Sequence, residues 1–291
     1  MEIHKVAVIG GGTTGVGIAR TVAGAGMNVH ICEKDQPSSE SASRHLEEQL
    51  DEEMARWSLT KGERTALRRR ITGGWEITEA ASADLVIESV NEDFENKRSV
   101  FEKLDQICDP AIIFVTNAAT LSVSELAATT RRPSRFVGIH FVSPVPRTRV
   151  TEIVRGLATS DETMAVAKSF AIQIGKTPIE VFEYPGYVTT RLIVPLINEA
   201  IFVVMEGVAS AEDVDTAMKL GYNFERGPLE LADHFGLDVV MSWMEHLFHE
   251  LGDLKYRPCP LLRKMVRAGR LGVKSGEGFF KYDGGTERRL R

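Results

Sequence analysis

The chain has 291 residues, 35 basic and 41 acidic side chains, and a formal net charge of −6. At about 150 residues per domain this length predicts two domains, long enough to bury cores without staples. Hydrophobic residues at 43% and charged residues at 26% exclude a disordered or fibrous chain, and the mild acidity excludes a dedicated nucleic-acid binder. The three cysteines (Cys32, Cys108, Cys259) are far apart and odd in number, so neither a disulfide framework nor a metal site is expected. That points to a reducing, cytoplasmic setting. No cleavable signal region and no apolar run of the ~18 residues a membrane helix needs stands out, so no membrane partner is expected.

Val6-Ala7-Val8-Ile9 is a short continuous apolar run, the pattern of a parallel strand buried on both faces. Gly10-Gly11-Gly12-Thr13-Thr14-Gly15-Val16-Gly17 follows, and Ile18, Val22 and Ala25 then recur at helical spacing. A second run, Val29-His30-Ile31-Cys32, ends at Glu33. A polar stretch with Pro37 leads to a charged helix expected from about Ser43 to Arg56. Further buried strands are expected at 84–88, 112–115 and 136–141, with helical patterns between them, such as Lys97 to Ile107. Strands alternating with helices predict a doubly wound α/β sheet. The pattern changes after Val181, and Tyr184-Pro185-Gly186-Tyr187 reads as a turn. Beyond it the sequence reads as all-helical. Ile193, Ile197, Ile201 and Val204 form a helix-period stripe, Ser210-Ala211-Glu212-Asp213 is a capping signature, and Leu237 to Leu251 gives another helix. The expected domains are 1–183, a Rossmann dinucleotide-binding domain, and 184–291, a helical domain.

Gly10, Gly12 and Gly15 form a G-x-G-x-x-G pattern. The first glycine permits the tight turn, the second lets a pyrophosphate approach the backbone, and the third lets helix and strand pack closely. The helix N-terminus then offers free N–H groups and partial positive charge to phosphate. The pattern follows a strand, opens a helix and has Glu33 at the end of the next strand, which makes it a specific signal. Glu33 can accept from a ribose 2′-hydroxyl and would repel a 2′-phosphate, so NAD is expected over NADP.

Ile9-Gly10-Gly11-Gly12-Thr13-Thr14-Gly15-Val16-Gly17-Ile18-Ala19, His140-Phe141-Val142-Ser143-Pro144-Val145-Pro146, Glu152-Ile153-Val154-Arg155-Gly156 and Pro185-Gly186-Tyr187 stand in that order. Ala217-Met218-Lys219-Leu220-Gly221, Gly227-Pro228-Leu229-Glu230-Leu231 and Gly272-Val273-Lys274-Ser275-Gly276-Glu277-Gly278-Phe279 follow. Together these segments resemble the L-3-hydroxyacyl-CoA dehydrogenase family, which includes the 3-hydroxybutyryl-CoA dehydrogenases. The resemblance implies a Rossmann domain, a helical domain that forms a homodimer, and an active site in the cleft between the domains. It also places Glu92 and Lys97 near the nicotinamide ribose and phosphate, with Thr13, Thr14 and Asn117 among the cofactor contacts. The competing reading of Glu92 and Lys97 is a solvated charge pair on a helix surface.

Oxidation of a secondary alcohol by NAD needs a base for the hydroxyl proton, and histidine titrates near neutrality. His140 sits at a strand end, where doubly wound sheets bind ligands. By the resemblance Glu152 is its partner, fixing the tautomer and stabilising the imidazolium. The chain departs from the family at three other polar positions. Ala119 stands where the family has serine, Ser143 where it has the asparagine of His-Phe-Phe-Asn, and Thr190 where an asparagine follows Pro-Gly-Phe. One reading is a remodelled pocket, with Ser143, Thr190 and Thr120 supplying hydroxyl donors to a differently shaped substrate. The other is a non-catalytic NAD-binding relative. Retention of the base and its orienting acid favours the first. Arg147 and Arg149 add two guanidiniums that suit an extra substrate carboxylate, against the competing reading of a solvated basic loop.

In the family the helix after the second strand helps bind coenzyme A and is lysine-rich. Here Glu40 to Glu53 holds six acids and one base, a net of −5, so the remainder of the chain nets only −1. Such a helix would oppose a polyanionic coenzyme, although Arg56 and the run to Arg68, Arg69 and Arg70 bring positive charge nearby. Trp57 reads as a buried residue or an adenine platform. The reading reached is NAD-dependent reversible oxidation of a 3-hydroxyacyl thioester, CoA-linked, with a carrier-protein-bound or free hydroxy acid or polyol as the alternative. Residues 255–291 hold eleven bases and three acids, taken as part of the folded helical domain with a short frayed end at 288–291.

Overall fold

The computed structural model describes residues 2–55 and 58–282, so Arg56, Trp57 and the expected frayed end lie outside the described residues. The chain divides after Tyr187 into two compact units.

The first unit is α/β. In chain order it runs β1 (Lys5–Ile9), α1 (Thr13–Gly24), β2 (Asn28–Cys32), α2 (Gln36–Ala55), α3 (Lys61–Arg70), β3 (Ile71–Gly74) and β4 (Leu85–Glu88). It continues with α4 (Phe94–Ile107), β5 (Ile113–Thr116), α5 (Val123–Ala128), β6 (Phe136–Phe141), β7 (Val150–Arg155), α6 (Asp161–Gln173) and β8 (Thr177–Phe182). One sheet holds all eight strands in the order β3-β2-β1-β4-β5-β6-β7-β8. Every pairing is parallel except β6 with β7, which is antiparallel. Val6 and Val8 of β1 enter one hydrophobic core, Ala7 and Ile9 the other, as a two-sided parallel strand requires.

The expected strands are present, and three more extend the sheet. β3 is four residues long with two glycines, too short and too weak in β-propensity to stand out. β8 carries Pro178 at its second residue, which is tolerated because β8 is an edge strand. β7 reads as half polar, yet Thr151 and Glu152 are both buried. The charged helix begins at Gln36 rather than near Ser43. Pro37 fits the first turn because an N–H there has no intrahelical acceptor to lose. The Asp35 carboxylate caps that turn by accepting from the Ser38 N–H at 2.8 Å.

Half of the acids of α2 are neutralised inside the unit. Arg64 of α3 pairs with Glu47 and Asp51 (2.6 and 2.9 Å), Arg68 with Glu47 (2.8 Å), and Arg20 of α1 with Glu53 (2.5 Å). Three of the six acids that read as opposing a coenzyme are therefore committed to arginines.

The second unit is helical: α7 (Thr189–Met205), α8 (Ala211–Tyr222), α9 (Pro228–Phe235), α10 (Leu237–Leu251) and α11 (Pro260–Arg267). Ser210 caps α8 as its sequence predicts, accepting from the Asp213 N–H at 3.1 Å. Ile197 and Ile201 of α7 pack in one core with Leu229, Val240, Met244 and Leu262. Asp233, fully buried in α9, accepts from the N–H groups of Phe279 and Phe280 (3.0 and 2.9 Å) and from the Tyr282 hydroxyl (3.1 Å). It thus ties the 272–282 segment to the helices. A Cβ at Gly278 would lie 2.0 Å from its Oδ1, so only glycine admits this carboxylate. Asp233→Ala removes the acceptor of one buried and one part-buried N–H group, and the expected loss is about 2–4 kcal/mol, measured as a lower unfolding midpoint of the helical unit in urea.

Candidate active site

The first unit gathers its reactive side chains at the carboxyl ends of adjacent strands. Gly10 follows β1, Glu33 follows β2, Glu88 ends β4, Asn117 follows β5, and His140 is the penultimate residue of β6. β1 pairs with β2 on one side and β4 on the other, the switch point where open α/β sheets hold ligands.

The dinucleotide turn has the predicted geometry. Gly10 has a φ of +101°, and a Cβ at Gly15 would lie 1.9 Å from the Gly10 carbonyl oxygen, so helix and strand meet only because both are glycine. Gly12 caps α1 with nothing within 4 Å of its missing Cβ, which leaves open space over the helix N-terminus. The first turn of α1, Thr13 and Thr14 included, carries no acid that would oppose a phosphate. Glu33 reaches back to this turn and accepts from the Gly11 N–H at 2.6 Å.

His140 and Glu152 are brought together by strand register. In the antiparallel β6–β7 pair, His140 lies directly opposite Glu152. Nδ1 of His140 is 2.6 Å from Glu152 Oε2, and the carboxylate is 0% exposed. The Thr151 hydroxyl donates to the His140 carbonyl at 2.8 Å, and the side-chain oxygen of Asn117 accepts from the Phe141 N–H at 2.9 Å. The Tyr187 ring lies 5.7 Å from the imidazole, centroid to centroid. Tyr187 is buried with a φ of +47°, and burial beside Glu92, Glu183 and Glu152 holds its phenol well above the usual range.

Glu92 and Lys97 do not form a solvated surface pair. Lys97 is 1% exposed and bonds Glu88 at 2.7 Å, the Val90 carbonyl at 3.2 Å and Glu92 at 3.5 Å. Burial opposes its charge, but the two carboxylates outweigh that and raise its pKa. Glu92 accepts from the N–H groups of Ala119 and Thr120, both at 2.7 Å, and from the Thr120 hydroxyl at 3.1 Å. Burial raises its pKa, but Lys97 and these donors hold it below the ordinary carboxylate range. Glu88 also accepts from the Thr116 hydroxyl at 2.7 Å. The cluster therefore holds the loop after β5. It also corrects one expectation: the Thr120 hydroxyl is spent on Glu92 rather than offered to a substrate.

The 142–149 loop follows His140. Arg147 and Arg149 are exposed and Ser143 half-buried. Lys176, buried, donates its ammonium to the carbonyls of Val145 and Thr148, and the Thr177 N–H donates to the Arg149 carbonyl at 2.6 Å. Burial lowers the Lys176 pKa. Ala119 is buried in the first unit; Thr190 is buried in the first turn of α7, in the second. Arg56 lies outside the described residues. Glu88, Thr116, Lys176 and Tyr187 went unassigned in the sequence, although Glu88 carries the same signal as Glu33, an acid ending a buried strand.

Residues 5–184 match the 3-hydroxyacyl-CoA dehydrogenase NAD binding domain, and residues 186–282 match the C-terminal domain of the same family. The chain belongs to the 3-hydroxyacyl-CoA dehydrogenase family. It is 45% identical over 283 residues to a probable 3-hydroxybutyryl-CoA dehydrogenase of Bacillus subtilis, covering 97% of this chain and 99% of that one. Among solved structures it resembles (S)-3-hydroxybutyryl-CoA dehydrogenase from Ralstonia eutropha (39% identity, TM-score 0.85, 97% of this chain and 100% of that one). It also resembles the M. tuberculosis protein FadB2 (34% identity, TM-score 0.92, with the same coverage). Like the family, the chain is an NAD-dependent oxidoreductase, and the open glycine turn beside Glu33 fits that cofactor. Glu33→Ala is expected to weaken NAD binding by about tenfold and to narrow the preference over NADP, both read by fluorescence titration.

Proposed function

We propose that the chain reversibly oxidises a 3-hydroxyacyl thioester, carried by coenzyme A, to the 3-oxoacyl thioester. The observation that carries this is the 2.6 Å contact between His140 Nδ1 and the buried Glu152 carboxylate, on a strand that ends at the same carboxyl edge of the sheet as the strand before the dinucleotide turn. NAD, held at that turn, would supply the hydride acceptor for oxidation and, as NADH, the hydride donor for reduction. With Nδ1 committed to Glu152, His140 presents Nε2 as the base for the substrate 3-hydroxyl, and the imidazolium formed stays paired with the carboxylate. In reduction the same nitrogen returns the proton. Gly10, Gly12, Thr13, Thr14 and Glu33 would hold the dinucleotide. Glu92, Lys97 and Asn117 would shape its nicotinamide end through the loop after β5. Ser143, in the loop after His140, is the hydroxyl donor assigned to the reacting oxygen, since the Ala119 side chain has none.

The test is NADH formation with 3-hydroxybutyryl-CoA and longer homologues. His140→Ala is expected to lower kcat by about 10³-fold with NAD affinity retained. Glu152→Gln should lower it by about 10³-fold as well, because an amide donor at Nδ1 selects the wrong tautomer. Tight NAD binding without turnover on any thioester or free hydroxy acid would instead favour a non-catalytic role.

The exposed Arg147 and Arg149 have no acidic partner among the described residues and favour a substrate with a second carboxylate. Arg147→Ala should raise KM for a hydroxydicarboxyl thioester more than for a monocarboxyl one, whereas equal changes would contradict it. We further infer a homodimer through the helical unit, supported by the exposed Leu192, Leu220 and Tyr222. A cytoplasmic setting is supported by three free, buried cysteines. No helix among the described residues is long and apolar enough to cross a membrane.

A further inference from the structure

The basic excess near the C-terminus converges on a cavity. Between Lys255 and Lys281 the sequence has eight basic residues and one acid, Glu277. Four of the eight have acidic partners: Lys255 with Asp253, Arg263 with Glu245, Arg270 with Glu277 and Lys274 with Asp238, at 2.9, 2.6, 3.4 and 2.6 Å. Arg257, Lys264 and Arg267 have none among the described residues. These three, with Arg263, line one cavity of about 320 Å³, closed otherwise by Pro258 and Pro260. Among the described residues no acid and no aromatic ring lines it.

The rim is built rather than loose. Tyr256, Pro258 and Cys259 are buried. The buried Asn198 amide clamps the chain on either side of Pro258, donating to the Arg257 carbonyl at 3.1 Å and accepting from the Cys259 N–H at 2.9 Å. Arg257 therefore projects from fixed backbone. Arg263 and Arg267 sit four apart on α11, an unfavourable like-charge spacing that a bound anion would relieve. Position near the end of α11 favours Lys264 and Arg267 through the helix dipole, but it does not account for Arg257, which arrives from another segment.

We propose that this cavity binds a small phosphate-bearing anion, with a diphosphate preferred to a single phosphoryl group. Guanidiniums offer paired donors matched to phosphate oxygens, and three unpaired cations exceed what one monoanion would balance. Without an aromatic wall the cavity recognises charge rather than a base. The test is calorimetric titration of the full chain, saturated with NAD to occupy the glycine turn, with pyrophosphate and with inorganic phosphate at low ionic strength. One site is expected, tighter for pyrophosphate. Arg257→Ala combined with Arg267→Ala should weaken it by about tenfold or more, at an unchanged melting temperature without anion. Lys61→Ala combined with Lys103→Ala removes the same charge elsewhere and should leave the affinity unchanged. Absence of binding, equal weakening in that second variant, or equal affinity for both anions would overturn the proposal.

Discussion

The hydrogen bond between His140 and Glu152 depends on one departure from parallel topology. β6 continues the parallel sheet, and β7 returns beside it antiparallel, so that residue 140 faces residue 152 across the ladder. Directly paired residues project to the same side, and a histidine and a glutamate at those positions meet without relying on a flexible loop. A one-residue slip of β7 would turn Glu152 to the opposite face, away from His140. The Thr151 hydroxyl on the His140 carbonyl and Asn117 on the Phe141 N–H fix the same strand from two directions. The loop that follows is fastened by Lys176.

Beside this pair lies a second arrangement that only burial makes costly. Lys97, Glu88 and Glu92 are removed from water together, and removing one member of such a set costs about 3–5 kcal/mol because the remaining charge is left unpaired. Lys97 satisfies Glu88, which bonds Thr116 at the end of β5, and Glu92 takes the two N–H groups of the loop beyond it. The charges therefore couple the ends of β4 and β5 and hold the Ala119 backbone in place, although Ala119 has no polar side chain.

The parts of the site readable in the sequence were those written as local pattern. The strand, glycine turn and helix around Gly10 to Gly15 combine a continuous apolar run with glycines at fixed offsets, and each signal has one physical cause. His140 and Glu152 stood out only through the segments resembling the family, since no local rule joins residues twelve apart across a turn. β7 was hidden because Glu152 and Thr151 look like solvent-facing positions, and their burial is set by partners elsewhere in the chain. Lys97 was ambiguous for the same reason: charge spacing on a helix does not reveal that two carboxylates wait beneath it. The acidity of α2 had its remedy on α3 and α1, where Arg64, Arg68 and Arg20 take up Glu47, Asp51 and Glu53.

Those pairings leave α2 less hostile to an anionic coenzyme than its composition implies. Proton transfer in both directions turns on the state of one imidazole. That state is tested most directly by nitrogen-15 NMR of the histidine side chains, with His140 assigned from the His140→Ala spectrum. The 2.6 Å contact predicts a His140 that carries a proton on Nδ1, shared with Glu152, and leaves Nε2 free. A His140 protonated on Nε2, with Nδ1 bare, would contradict it.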